Sequence, residues 1–125
     1  MGIKIEELKR GYYVRHNFLD KPVYYFDDDS VVFYDLTRVR AEELEGTPIQ
    51  PALLMQNGFK LMPSEDDNAS ELWSMGCVSL RKKKGENYFR ATIHNQVYMY
   101  AGYVQYLHEL QEALDSCAVR MTWNV

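Results

Sequence analysis

Three histidines, His16, His94 and His108, are the side chains of this 125-residue chain best suited to acid–base chemistry. Histidine changes its charge near neutral pH and is therefore a common general acid or base. Catalysis also needs a carboxylate, thiol or hydroxyl placed beside it, and no such partner stands at a spacing that sequence can support. We therefore interpret His108 as a structural histidine at the boundary between packed and wet surface.

The two cysteines, Cys77 and Cys117, are predicted to be reduced thiols of a cytoplasmic protein. They lie far apart in a chain whose opening, MGIKIEELKR, has no apolar stretch of a secretory signal. The sequence also lacks a nucleophile elbow, a glycine-rich phosphate loop and a zinc-type cluster. We expect no catalytic residue, metal or cofactor, and a small enzyme without a recognisable motif stays open as an alternative.

Two acidic runs, Asp27-Asp28-Asp29 and Glu65-Asp66-Asp67, have the oxygen ligands that a hard cation needs. Calcium loops alternate their ligands around a glycine bend and add a distal glutamate, and neither run has that order. We interpret both runs as solvated turns.

One basic cluster could contact nucleic acid, with Tyr88 and Phe89 beside it as rings that stack on bases. A net charge of −4 weakens this interpretation, and lysines at a hairpin tip also keep sheet edges apart. Nucleic-acid binding is therefore the alternative to protein binding. Its candidate contacts are Arg81, Lys82, Lys83, Lys84 and Arg90.

The composition is that of a globular domain, with 46% hydrophobic and 26% charged residues. Ten tyrosines are unusual for this length, and their half-apolar rings favour boundaries and interfaces. Apolar runs are too short for a membrane-spanning helix, so we expect no membrane partner.

The first half of the chain reads as a meander of strands. GYYVRHNF, KPVYYF and SVVFYDLT are short, rich in aromatic and β-branched residues, and separated by turn residues. In the third segment, Val32, Tyr34 and Leu36 form the fully apolar face and are predicted to point to the core. These three strands are candidates for an SH3-like half-barrel.

The second half combines strands and helices. Pro51 and Gly58 bracket a predicted short helix, PALLMQNG. ELWSMGCVSLRKKK and NYFRATIH are predicted to pair as a hairpin around residues 85–86, with Phe89, Ala91 and Ile93 facing the core. VYMY is a candidate for a further strand.

Residues 101–117 are predicted to form an amphipathic C-terminal helix. Its core stripe comprises Tyr103, Leu107, Leu110, Leu114 and Cys117, with Ala118 beside it. His108 lies on the flank of that stripe. The whole chain, residues 1–125, is thus predicted to be a single α+β domain: a mostly antiparallel sheet of about five to seven strands, a short central helix and a C-terminal helix packed on the sheet.

Three segments resemble landmarks of a group of small uncharacterised bacterial proteins, many of them associated with phages or prophages. Residues 8–14, LKRGYYV, are similar to LRIGNYV; residues 46–59, GTPIQPALLMQNGF, to GIPLTPEILEKNGF; and residues 106–111, YLHELQ, to YVHQLQ. The chain departs from the group at Gln50 and Glu109. The matching positions are Leu8, Gly11, Tyr13 and Val14; Gly46, Pro48, Pro51, Leu54, Asn57, Gly58 and Phe59; and Tyr106, His108, Leu110 and Gln111.

The resemblance carries no activity, but it implies an intracellular accessory role in a mobile-element setting. It also draws attention to His108 and Gln111, which lie inside a matching segment. We expect a non-enzymatic protein-interaction module that binds a protein partner or itself through the tyrosine-rich segment VYMYAGYVQY. The candidate surface comprises Tyr98, Tyr100, Tyr103, His108 and Gln111.

Overall fold

The computed structural model describes residues 3–63 and 71–125. Within these ranges the chain forms two antiparallel sheets of five strands each and two α-helices. The predicted mixed α+β class, with a short helix and a C-terminal helix, is confirmed. The strands number ten in two sheets, where the sequence predicted five to seven in one.

The first sheet is a meander with the strand order β4-β3-β2-β1-β5. A 3-10 helix at Ile5–Glu7 precedes it, and a second at Ala41–Glu43 separates β4 from β5. The first three strands form the predicted antiparallel meander, and the last strand returns beside the first. The strands are β1 (Tyr13–His16), β2 (Leu19–Phe26), β3 (Ser30–Phe33), β4 (Arg38–Arg40) and β5 (Glu45–Gly46).

The core of the first sheet uses the opposite face of β3 from the predicted one. Phe33 pairs with Val23 and lies in the core, whereas Tyr34 and Leu36 are exposed. Directly paired residues share a face, so the buried partners on β2 and β4 decide which face of β3 turns inward. Both faces are largely apolar, and periodicity alone therefore gave the wrong one. The core comprises Leu8, Tyr12, Val14, Val23, Val31, Phe33, Val39 and Leu44.

The second sheet has the order β10-β9-β8-β7-β6. The segment ELWSMGCVSLRKKK, predicted as one strand, is two strands joined by a turn at Gly76, whose φ is +56°. Glycine adopts this left-handed conformation without steric cost. The strands are β6 (Lys60–Met62), β7 (Glu71–Met75), β8 (Val78–Lys82), β9 (Phe89–Asn95) and β10 (Tyr98–Val104).

Two helices pack on the inner face of this sheet. α1 (Pro51–Gln56) is the predicted short helix and ends before Gly58, whose φ is +93°. α2 (Leu107–Ser116) begins later than predicted, because residues 101–104 continue β10 and pair with β9. Tyr103 is consequently a strand residue and not part of the helix stripe. The rest of the predicted stripe, Leu107, Leu110, Leu114 and Cys117, is buried.

The second core lies between this sheet and the helices. Phe89, Ala91 and Ile93 of β9 face it, as predicted. Trp123, in the segment after α2, closes one end by stacking on Phe59 with ring centroids 6.3 Å apart. The two cores are separate clusters of buried side chains.

A short joint connects the two sheets. The amide of Leu107 donates to the Thr47 carbonyl at 2.8 Å, and the amide of Ile49 donates to Gln105 at 3.3 Å. Beside them, the ring of Tyr106 lies directly against Gly46, so close that a β-carbon on Gly46 would overlap it. The joint therefore brings together the chain entering α1 and the chain entering α2.

Candidate functional site

Two of the five candidate interaction residues lie inside the protein. His108 is 3% exposed and Gln111 is 7% exposed. Little of either side chain is open to a partner, although His108 lines the groove described below. A helix flank is covered here because the first 3-10 helix and β1 pack against α2, which helix periodicity does not reveal.

Gln111 ties α2 to the first sheet. Its Oε1 accepts from the Tyr13 amide at 2.9 Å, and its Nε2 donates to the Gly11 carbonyl at 3.1 Å. One turn away, the hydroxyl of Tyr12 donates to Asp115 at 2.5 Å and contacts Glu112 at 3.0 Å. Burial, followed by these two carboxylates, raises the pKa of Tyr12 above its ordinary value. The hydroxyl is therefore a fixed donor at this contact.

His108 lies between α2 and the first 3-10 helix. Its Nε2 is 3.4 Å from Oε2 of Glu7, and its ring stacks on Tyr106 at a centroid distance of 6.0 Å. Its Nδ1 is buried and has no hydrogen-bond partner among the described residues. Among the described residues, His108 is therefore a packed histidine that uses one of its two ring nitrogens in a polar contact.

The three candidate tyrosines lie on β10 and differ in exposure. Tyr98 is 48% exposed and Tyr103 is 65% exposed, so both remain on the surface. Tyr100 is half-buried on the face that packs against α2, and its hydroxyl lies over Gly102. Burial, together with the nearby Glu109 and Cys117, raises the pKa of Tyr100. The tyrosine-rich segment is therefore divided between core and surface.

Among the residues that the structure describes, one side of β10 has no strand partner. The His94 amide donates to the Cys77 carbonyl, so even-numbered residues of β9 bond to β8 and odd-numbered residues bond to β10. Ile93 is paired with Tyr100, and even-numbered residues of β10 therefore bond inward. The N–H and C=O groups of Met99, Ala101 and Tyr103 point outward and have no backbone partner among residues 3–63 and 71–125.

The other three edges of the described sheets are short and carry charges. β4 has Arg38 and Arg40, β5 has two residues including Glu45, and β6 has three residues including Lys60. Short length and charged side chains are the usual protection of an edge against pairing with another chain. β10 has seven residues and no charged side chain or proline. It is the unprotected edge of the structure as described.

A groove of about 330 Å³ lies between β10, α2 and the first 3-10 helix. Tyr100 and Tyr103 point to opposite faces of the sheet, and both line the groove, which places it at the strand edge. Four carboxylates make it strongly acidic. The groove is formed by Tyr100 and Tyr103 of β10, by His108, Glu109 and Glu112 of α2, and by Glu6 and Glu7 of the first 3-10 helix.

The basic candidates gather on the outer face of the second sheet. Arg81 of β8 pairs directly with Arg90 of β9, and no carboxylate within residues 3–63 and 71–125 forms an ion pair with either. Lys83 and Lys84 are exposed, whereas Lys82 is half-buried with its Nζ 5.8 Å from the centre of the Phe89 ring. The structure thus brings two of the five cations into a pair on an open sheet face.

A second concavity, of about 250 Å³, joins this pair and Lys83 to two aromatic rings, and Glu86 also lines it. Tyr88 and Tyr103 meet edge to face there, with centroids 5.2 Å apart. Tyr103 therefore borders the basic concavity on one side and the acidic groove on the other. Of the five candidate interaction residues, Tyr103 is the one that lines both concavities.

Sequence reasoning missed the acidic groove because its members come from both ends of the chain. Glu6 and Glu7 are about a hundred residues from Glu109 and Glu112 in sequence. The basic cluster, by contrast, could be predicted because its residues are neighbours in one hairpin. No local sequence pattern indicates that β10 lies at the edge of its sheet.

The remaining chemistry-bearing residues have structural surroundings. Asp27 accepts hydrogen bonds from the amides of Asp29 and Ser30 and forms a turn. The run Glu65-Asp66-Asp67 lies outside the described residues. Cys77 and Cys117 are free cysteines. Within the described ranges, no group of three or more histidine, cysteine or carboxylate side chains is arranged to hold a metal ion.

Comparison of the chain with protein-family models, curated proteins and solved structures finds no match. Among the described residues, neither helix has the length and apolar character needed to cross a membrane.

Proposed function

We propose that this protein is a non-enzymatic protein-interaction module whose partner adds an extended segment along β10. The resemblance to phage-associated proteins suggests an accessory role in a mobile element. Intracellular action, in the cytoplasm, is part of the same proposal. The single observation that supports binding at β10 is the uncharged, seven-residue edge with outward backbone groups at Met99, Ala101 and Tyr103.

A partner strand would bind β10 through the same backbone hydrogen bonds that join strands within the sheet. A new strand beside β10 would pair with three outward N–H groups and three outward C=O groups, which supply affinity without a deep pocket. The exposed side chains of Tyr98, Met99 and Tyr103 would cover apolar surface at the same time. Sheet edges that do not pair with another chain are normally protected by short length or charged side chains, as the other three edges are here.

Ala101→Pro is the variant that tests this proposal. Proline removes the outward N–H of residue 101, while the ladder to β9 depends on the even-numbered residues. We expect it to fold and to lose at least about tenfold in affinity for extended peptides selected on the wild-type protein. The selection uses a display library of random peptides as long as β10, with binding measured by fluorescence anisotropy.

Ala101→Ser is the matched control, because it changes the same position and keeps the N–H. Equal binding by the wild type, Ala101→Ser and Ala101→Pro would contradict strand addition. Light scattering after size exclusion, run on the three proteins without peptide, detects addition of a second copy to the same edge.

Nucleic-acid binding is the second candidate, and the pairing of Arg81 with Arg90 favours it. Two arginines opposite each other repel unless an anion lies between them, and Tyr88 and Tyr103 offer rings for stacking. This candidate predicts that oligothymidylate binds at low salt and that affinity falls steeply as salt rises. Arg90→Glu should then abolish binding, whereas Lys9→Glu, on the first half of the chain, should not.

A further inference from the structure

We propose that the segment received by β10 is basic, with lysine or arginine side chains that reach the acidic groove. This inference rests on the proposed function and adds the chemistry of the partner. It selects an extended cationic stretch of another protein over a second copy of this chain.

The position of the groove explains why a bound strand would meet the carboxylates. The groove begins at the unpaired side of β10, where the added backbone must lie, and it continues to α2 and the first 3-10 helix. Alternate side chains of the added strand would point to the face that α2 occupies. Those side chains would therefore extend toward Glu6, Glu7 and Glu112.

The carboxylates of the groove are only partly engaged within the protein. Glu109 is engaged, since its Oε1 accepts from the amides of Gln105 and Tyr106 at 2.9 Å. Glu112 lies 3.0 Å from the Tyr12 hydroxyl and has a distant ion pair with Lys9 at 3.8 Å. Among the described residues, Glu6 has no ion pair, and the one side-chain polar contact of the Glu7 carboxylate is with His108. Glu6 and Glu7 are therefore the acceptors most open to cations on a partner.

A further feature of the groove fits a cationic side chain. The exposed ring of Tyr103 offers a face over which an ammonium or guanidinium can lie. Lysine and arginine have only hydrogen-bond donors, which suits a groove lined by carboxylate acceptors.

Pairing of β10 with a second copy of this chain would bring acidic residues together instead of placing cations beside them. Two β10 strands joined antiparallel are related by a two-fold axis perpendicular to the sheet, so both α2 helices lie on the same side of the joined sheet. The two acidic grooves would then face each other across the axis. Like charges brought together in this way oppose the dimer.

The peptide selection on wild-type protein tests the inference by the charge of what is enriched. Peptides that also bind Ala101→Pro are removed as non-specific. We expect the enriched peptides to have a net positive charge, and their affinity to fall as salt is raised. Glu6→Lys should weaken their binding by about threefold to tenfold, because it replaces an attraction with a repulsion.

Glu43→Lys is the matched control, since Glu43 is an exposed glutamate on the second 3-10 helix, away from the groove. Enrichment of neutral or acidic peptides would overturn the inference and leave strand addition standing. A peptide-free dimer that Ala101→Pro converts to a monomer, without peptide enrichment, would also overturn it, because the occupant would be a second copy. If no peptide is enriched and no dimer forms, both the inference and the proposed function are refuted.

Discussion

Gly46 and Gln111 determine how the two halves of the chain meet. A β-carbon on Gly46 would lie 2.3 Å from Cγ of Tyr106, so only glycine fits against that ring. Gln111 satisfies two backbone groups of the first sheet with one amide. The sequence predicted His108 on the flank of the packed stripe, but the contacts that cover it and Gln111 span about a hundred residues, and no periodicity encodes them.

Gly46→Ala is expected to destabilise the protein by about 1–3 kcal/mol, because the Tyr106 ring or the joint must move to admit the methyl group. Thermal unfolding followed by circular dichroism measures the change. The same substitution in a Tyr106→Ala background should cost less, since the clashing ring is gone. Identical costs in both backgrounds would show that the contact with Tyr106 is not the cause.

At the scale of elements, the sequence predicted the existence of strands and helices better than their limits. α2 was expected from residue 101, yet Ala101 and Gly102 pair with β9. The true start is set by Glu109, which accepts from the amides of Gln105 and Tyr106. The edge position of β10 could not be predicted, because it depends on which strands fail to pair and therefore on the topology of the whole sheet.

Glu109→Ala is expected to cost about 1 kcal/mol of stability, because two amides at the start of α2 lose their acceptor. Chemical denaturation with urea measures this difference. Glu109→Gln keeps a carbonyl acceptor at the same place and should recover part of the loss. If both variants lose equally, the negative charge matters more than the hydrogen bonds.

At the scale of the molecule, the α+β class followed from the mixture of strand and helix patterns, while the division into two sheets did not. Alternating apolar residues identify strands but say nothing about which strands share a sheet. The two separate cores are the result of that division. α2 belongs to the second core and also contacts β1, so it couples the two sheets together with the joint described above.

Gln111→Ala is expected to loosen the first sheet more than the second. It leaves the Gly11 carbonyl and the Tyr13 amide without a partner at the contact with α2. Native-state hydrogen exchange should show a lower opening free energy for β1 and β2, with β8 and β9 little changed. Gln105→Ala serves as the control, and equal loosening of both sheets would contradict this division.

The contacts that join the two sheets lie apart from the strand edge that is open to a partner. Residues 46–49 lie against residues 105–107, and Gln111 bonds to residues 11 and 13. None of these contacts uses a residue of β10 (Tyr98–Val104). Substitutions on the outer side of β10 should therefore change what the protein binds and leave the union of its two sheets intact.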